Sequence, residues 1–450
     1  MKSQDPHQEH LQSIISLYTQ GQLQQALSHT TEMLERFPNS VVLYNIAGAS
    51  NAGLFQFDAA IDSYKQALKI KPDYADVYSN LGNALKGKGD LEEAIDSYKQ
   101  ALKIKPDYAE AYYNMGITLK DKGDLEEAID SYKQALKIKP DYADAYYNMG
   151  NALNDNGNLD AAINSYKQAL KIKPDHADAY NNMGNALKDK GDLEPAIDSY
   201  KQALKIKPDY AEAYNNIGIA LNDKDDPEAA IDSYKQALKI KPNYAEAYYN
   251  MGVVLKDKGD TDAAIDSYKQ ALKIKPDYAE AYYNMGNALN DKGDPEAAIG
   301  SFTQALKIKP NYADAYNNMG NALKDKGDTE AAIDSYKQAL KIKPDYAEAY
   351  YNIGVALNDK GDTEAAIDSH QQALKIKPDY AEAYYNMGIA HLRRGNLDEG
   401  FKCHEWRLKM KKRPTAPARI NLIWDGEQSL SGKHFVVYEE QGLGDIIQFC

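Results

Sequence analysis

Ala109-Glu110-Ala111-Tyr112-Tyr113-Asn114-Met115-Gly116, continuing through Leu136-Lys137-Ile138-Lys139-Pro140-Asp141-Tyr142, is a phrase of 34 residues that most of the chain repeats. Its proline returns at Pro38, Pro72, Pro106, Pro140, Pro174, Pro208, Pro242, Pro276, Pro310, Pro344 and Pro378 without slipping. A fixed period of this length is the mark of a repeat array, in which each unit packs only on its neighbours.

Inside the phrase the spacing predicts two helices. Tyr112, Met115, Gly116 and Leu119 fall at i, i+3, i+4 and i+7, and Ala128, Ile129, Tyr132, Ala135 and Leu136 form a second apolar stripe. Gly123 supplies the left-handed turn between them. Asp124 with Glu127 three residues on is expected to form a capping box for the second helix. Pro227 and Pro295 occupy the next position, where proline forfeits no helical hydrogen bond. Lys137 and Lys139 suit the negative end of the second helix, and Pro140 stops it. Asp141 with Asp144 is expected to cap the first helix of the next unit. Gly116 and Ala128 are small where two helix axes must approach closely. A lone unit would leave its flanks wet, so the copies are needed for stability.

Tyr112-x2-Met115-Gly116-x2-Leu119, Ala128-x3-Tyr132 and Pro140 together resemble the tetratricopeptide (TPR) pattern, and the resemblance covers about nine tenths of the chain. It implies an all-α TPR α-solenoid, a right-handed superhelix of helix-turn-helix repeats, and a function of binding. The expected organisation is a polar tail over 1–6, twelve repeats over 7–414 and a different segment over 415–450. The first two units and the twelfth diverge, as exposed end faces require. Interior departures are local: Asp225 for the turn glycine, Phe302 and His370 for the second-helix tyrosine, and His176 for a loop tyrosine.

Beyond Pro414 the period stops. His434-Phe435-Val436-Val437-Tyr438 reads as a strand, Gly442-Leu443-Gly444-Asp445 as a turn, and Ile446-Ile447-Gln448-Phe449 as a helix start. A strand, a glycine-rich turn and a helix start form the first unit of an α/β domain, so a truncated α/β stub is expected at the carboxyl end. Glu405-Trp406-Arg407, Trp424-Asp425-Gly426 and Glu440-Gln441-Gly442-Leu443-Gly444-Asp445 resemble the junction of bacterial TPR proteins joined to a glycosyltransferase-like domain. The resemblance implies a catalytic base at Asp445 and a longer parent that transfers sugar of the O-linked type. With nearly all of that domain lacking, no catalytic residue, cofactor or metal site is expected in this chain.

The bulk numbers bound the function. The chain of 450 residues is 43% hydrophobic and 27% charged, with a formal net charge of −14. That sign argues against nucleic acid, which needs a basic face. No apolar run approaches the roughly 18 residues of a membrane span, and Met1 to His10 lacks a signal pattern. Cys403 and Cys450 cannot form a disulfide framework, which points to a reducing, cytoplasmic setting.

Numbering Ala109 as position 1, positions 4, 7, 8 and 11 point one way and positions 2, 6, 9 and 13 roughly the opposite way. Position 6 carries Asn80, Asn114, Asn148, Asn182, Asn216, Asn250, Asn284, Asn318, Asn352 and Asn386. A row of amides that both donate and accept suits the backbone of an extended peptide. Two plainer readings stand beside it: near-identical copies carry the asparagine along, or it bonds the adjacent repeat. Position 5 carries Tyr113, Tyr147, Tyr249, Tyr283, Tyr351 and Tyr385, either partner anchors or inter-repeat packing. Position 13 is a row of aspartates (Asp121, Asp155, Asp189, Asp223, Asp257, Asp291, Asp325, Asp359), which disfavours acidic partners. Position 12 alternates Lys120, Asn154, Lys188, Asn222, Lys256, Asn290, Lys324 and Asn358, for no reason visible in the sequence. The TPR resemblance implies that the first helices line a concave face, and the O-linked transferases carry a similar asparagine ladder that holds peptide. The expected partner is an extended polypeptide, neutral or basic, held by the asparagine and tyrosine rows.

Overall fold

The computed structural model describes residues 5–410, and the expected linker, the strand at 434–438 and the turn holding Asp445 lie outside the described residues. Among the described residues there are twenty-four α-helices and no strand, running in pairs from Gln8–Thr19 and Leu23–Arg36 to Ala381–Arg393 and Leu397–His404, with a short 3-10 turn at Glu405–Lys409. The chain divides into two compact units, Met1–Asn250 and Met251–Cys450, and the described residues of each are an all-α stack of such pairs.

The pair Ala109–Lys122 and Leu125–Ile138 shows why the sequence folds this way. A Cβ on Gly116 would stand 2.7 Å from the Tyr132 ring, and the same collision recurs at Gly184 with Tyr200 and at Gly320 with Tyr336. Glycine at position 8 therefore lets the second-helix tyrosine lie flat between the two axes, where it is fully buried. Gly123 turns the chain at φ +97°, and its successor Asp124 donates its N–H back to the Leu119 carbonyl at 2.9 Å. Asp225 and Phe55 hold the same left-handed turn without being glycine, at φ 62° and 60°.

Two capping expectations are corrected. Asp124 sits at the head of the second helix but makes no side-chain cap bond. Its carboxylate turns instead to Lys122, 2.9 Å away. Asp90 behaves likewise with Lys88 at 3.3 Å. In both repeats the third helical residue is a glutamate, Glu93 or Glu127, and two carboxylates do not share one helix terminus comfortably. Where that residue is alanine the cap forms: Asp226, Asp260, Asp294, Asp328 and Asp362 each accept from the N–H of the alanine three residues on. Asp192 faces Pro195, which has no N–H to give, and does not cap. Asp141 and Asp144 do not cap the following helix either; Tyr142 occupies the cap position with no side-chain bond, and Lys139 Nζ stands 4.4 Å over its ring. Pro227 and Pro295 do open their helices at the first position.

The last pair closes differently. Leu397–His404 is only 8 residues long, and Trp406 stacks on Tyr384 with ring centroids 4.1 Å apart. Lys409 Nζ covers the other side of the indole at 3.8 Å. An aromatic lid with a charged outer layer replaces the neighbour that an interior repeat would have.

Candidate functional site

The ten asparagines of position 6 are all half-buried on the first helices. Eight of the ten donate their amide N–H to the preceding repeat. Asn148 bonds the Tyr113 hydroxyl at 2.9 Å and Asn386 bonds Tyr351 at 3.0 Å. Asn80, Asn250 and Asn352 bond the side-chain carbonyls of Asn45, Asn215 and Asn317 at 3.1, 3.1 and 3.0 Å. Asn182, Asn216 and Asn318 donate twice, to position 5 and also to the position-9 amides of Asn151, Asn185 and Asn287. Asn114, whose preceding repeat carries Ser79 at position 5, makes no such bond. Asn284 also has a partner.

The sequence thus placed the row correctly on one face but left open what it bonds. Within each compact unit, positions 5, 6 and 9 stitch adjacent repeats together. A donor 35 residues downstream meets its acceptor because stacking brings equivalent positions of adjacent first helices side by side. Asn182, Asn216 and Asn318 have both amide hydrogens engaged. Asn80, Asn148, Asn250, Asn352 and Asn386 engage one donor bond each.

The tyrosines of position 5 are half-buried as well. Tyr113 lies 4.8 Å from the Tyr142 ring and 6.2 Å from Tyr132. Tyr147 meets His176 at 4.7 Å, Tyr283 meets Tyr312 at 4.9 Å, and Tyr351 meets Tyr380 at 5.0 Å. Tyr385 sits 4.9 Å from His404, and Tyr249 is also engaged. The hydroxyls of Tyr113, Tyr147, Tyr283 and Tyr351 accept from the asparagine row while their rings pack on the loop aromatic of the next repeat. Burial raises the pKa of Tyr113, Tyr147 and Tyr351, so all three stay protonated donors and acceptors at neutral pH.

Position 9, not singled out from the sequence, is part of the site. Asn83, Asn151, Asn185 and Asn321 each accept from the buried tyrosine of their own repeat at 2.8 to 2.9 Å. The signal was available: asparagine at position 9 of these repeats accompanies a second-helix tyrosine. Some position-12 residues reach the next repeat's aspartate, whereas Lys188 pairs with Asp189 of its own repeat and Asn358 donates to the Asn386 carbonyl. Lys86, Lys120 and Lys256 bridge to the position-13 aspartate of the next repeat (Asp121, Asp155, Asp291) at 3.3, 3.0 and 3.3 Å. Asn290 donates to Asp325 at 3.1 Å in the same way. Both residue types serve as donors to one carboxylate, so either fits. The aspartates stay about half exposed, and the face carries acidic oxygen along its edge.

A family model described as the TPR repeat matches ten times, at 56–89, 82–123, 118–157, 150–191, 184–225, 220–259, 254–293, 286–327, 320–361 and 356–395. The chain belongs to the TPR family. This TPR protein is similar over 37% of its length to the solved structure of MamA, at 32% identity, covering 97% of that chain with a TM-score of 0.35. It is 26% identical to YrrB, described as a TPR protein with an unusual peptide-binding site, over 41% of this chain and 95% of that one, at TM-score 0.37. Yeast Tom70 is 16% identical over 83% of this chain and 92% of its own, at TM-score 0.39. No curated protein matches the chain. The TPR array is a protein-interaction scaffold. No helix among the described residues is long and apolar enough to cross a membrane.

Proposed function

We propose that the first-helix face of this TPR array holds an extended polypeptide, neutral or basic, whose backbone runs along the asparagine row. The observation that supports it most is the register of half-exposed amides, carried by ten of the twelve repeats, several of which keep an N–H beyond the bond that joins the repeats. Each added bond contributes about 0.5–1.5 kcal/mol, so affinity grows by engaging several repeats. The exposed position-13 carboxylates favour basic segments and oppose acidic ones. The setting we propose is cytoplasmic.

Asn80→Ala, Asn148→Ala and Asn250→Ala combined test this directly, because each parent amide makes a single bond to its neighbour. Fluorescence anisotropy with labelled peptides in extended, uncharged and lysine-containing series should show affinity reduced by at least tenfold, with helical circular dichroism retained. Equal affinity for parent and variant rejects the reading.

A second reading makes the array the substrate-selecting arm of a glycosyltransferase-like parent, with Asp445 as base. Of the three motifs behind it, Trp424-Asp425-Gly426 and the glycine-rich turn lie outside the described residues. Trp406 has a packing role of its own on Tyr384, so Glu405-Trp406-Arg407 adds no independent support. A glycosyl-transfer assay on a chain extended past Cys450 separates the two readings.

A further inference from the structure

Phe302 interrupts the hydroxyl pattern of the site. In four repeats the buried tyrosine donates to the position-9 carbonyl of its own repeat. Phe302 stands in the same place, fully buried against Gly286, with no hydroxyl to give to Asn287. Above it lies a cavity of about 220 Å³, lined by Lys256, Asn287, Asn290, Asp291, Phe302, Asn318 and Asn321.

The hydrogen-bond inventory of this cavity is unbalanced in one direction. Asn287 Oδ1 accepts only from Asn318, at 2.9 Å, and retains a lone pair. Asn290 Oδ1 is buried away from the cavity and its Nδ2 is committed to Asp325, so this side chain offers the cavity no free acceptor. Asn321 Oδ1 is occupied by Tyr336, yet its amide N–H groups bond no other described side chain. The only charges present, Lys256 and Asp291, face each other at 3.3 Å. The cavity therefore offers both donors and acceptors and no uncompensated charge.

We propose that this cavity is a subsite for the carboxamide side chain of a glutamine or asparagine on the bound polypeptide. The inference rests on the reading that the first-helix face holds extended peptide. A carboxamide supplies the N–H that the Asn287 oxygen lacks and the carbonyl that the Asn321 amide lacks. A carboxylate would leave the acceptor unserved, an ammonium would leave the donors unserved, and an aliphatic group would leave both dry. The cavity exceeds the volume of one water by severalfold, at ~30 Å³ each in the liquid, so a side chain fits where a single solvent molecule would not fill it.

Phe302→Tyr is the discriminating variant, because tyrosine holds this position in the adjacent repeats (Tyr268, Tyr336) and folds there. The new hydroxyl engages Asn287 as Tyr336 engages Asn321. The probe is an array of acetyl-capped octapeptides in an alanine-serine background, with one central residue varied among Gln, Asn, Glu, Lys and Leu. Purified wild-type protein, Phe302→Tyr and the Asn80/Asn148/Asn250 triple-alanine variant are each applied to it. Wild type should bind Gln or Asn peptides about tenfold better than the rest, two hydrogen bonds' worth. Phe302→Tyr should lose that preference and keep the common background binding. If wild type binds peptides with no carboxamide preference, or Phe302→Tyr preserves the preference, the subsite is overturned while the peptide-binding reading stands. If wild type binds none of the peptides, the peptide-binding reading fails and the subsite falls with it.

Discussion

His370 occupies the place of a buried tyrosine with none of its surface exposed, and neither ring nitrogen has a partner. Burial pushes its pKa down from 6.5 to about 4. The folded state therefore holds it neutral, whereas the unfolded chain binds a proton below about 6.5. Its stabilising contribution is complete above pH 6.5 and falls as the pH drops toward 4, by roughly 3 kcal/mol in total. His370→Phe, the choice made at Phe302, should remove that acid dependence, and urea melts at pH 7.5, 5.5 and 4.5 check it. Tyr132 and Tyr200 make a second contrast between single residues. Tyr200 donates to Asn185 at 2.8 Å, while the Tyr132 hydroxyl faces Ile117 in its own repeat and is buried without a partner. Tyr200→Phe should cost about 1 kcal/mol and Tyr132→Phe should be neutral or stabilising. Equal melting shifts for the two would contradict the assignment. Asp225→Gly relieves a left-handed non-glycine backbone and should stabilise by about 1 kcal/mol.

At the scale of the helix, the identity of the third residue decides whether an aspartate caps. Asp362 accepts from the Ala365 N–H at 3.2 Å, so Asp362→Ala should cost about 1 kcal/mol. Asp124→Ala removes only an exposed contact with Lys122 and should change the thermal midpoint little. Between helices, Asn182 and Asn216 each hold the preceding repeat with two bonds. Replacing both by alanine should lower stability by about 2–4 kcal/mol in urea melts, even though each amide is half-exposed. Helix boundaries and the turn glycines were legible because they are local, fixed by spacing within one 34-residue phrase. The cap failures were not, because Asp124-Leu125-Glu126-Glu127 looks like a capping box, yet the Asp124 carboxylate turns to Lys122.

At the scale of the molecule, each repeat leans only on its neighbours, so the array should tolerate loss of a whole period. In-frame deletion of residues 177–210 should leave a folded chain with mean residue ellipticity unchanged. Its urea midpoint should fall slightly, since one repeat interface is gone. A deletion out of phase by half a period should not fold, because it would set a first helix where a second must pack. The family assignment followed directly from the period. The exact partners of the amide row did not, since adjacent asparagines and tyrosines in the sequence offer several equally plausible pairings.

By itself the sequence determined the repeating pair of helices, the turn between them, the small residues where their axes approach, and the alignment of the asparagines along one face. All of these depend on contacts within about one period. Only the tertiary structure decided that the amides fasten one repeat to the next, that Lys or Asn at position 12 can serve the same aspartate, and that Phe302 leaves a cavity with an unmatched acceptor. Those outcomes join side chains 31 to 35 residues apart. Their pairing is set by the stacking of whole helices, which no single repeat encodes.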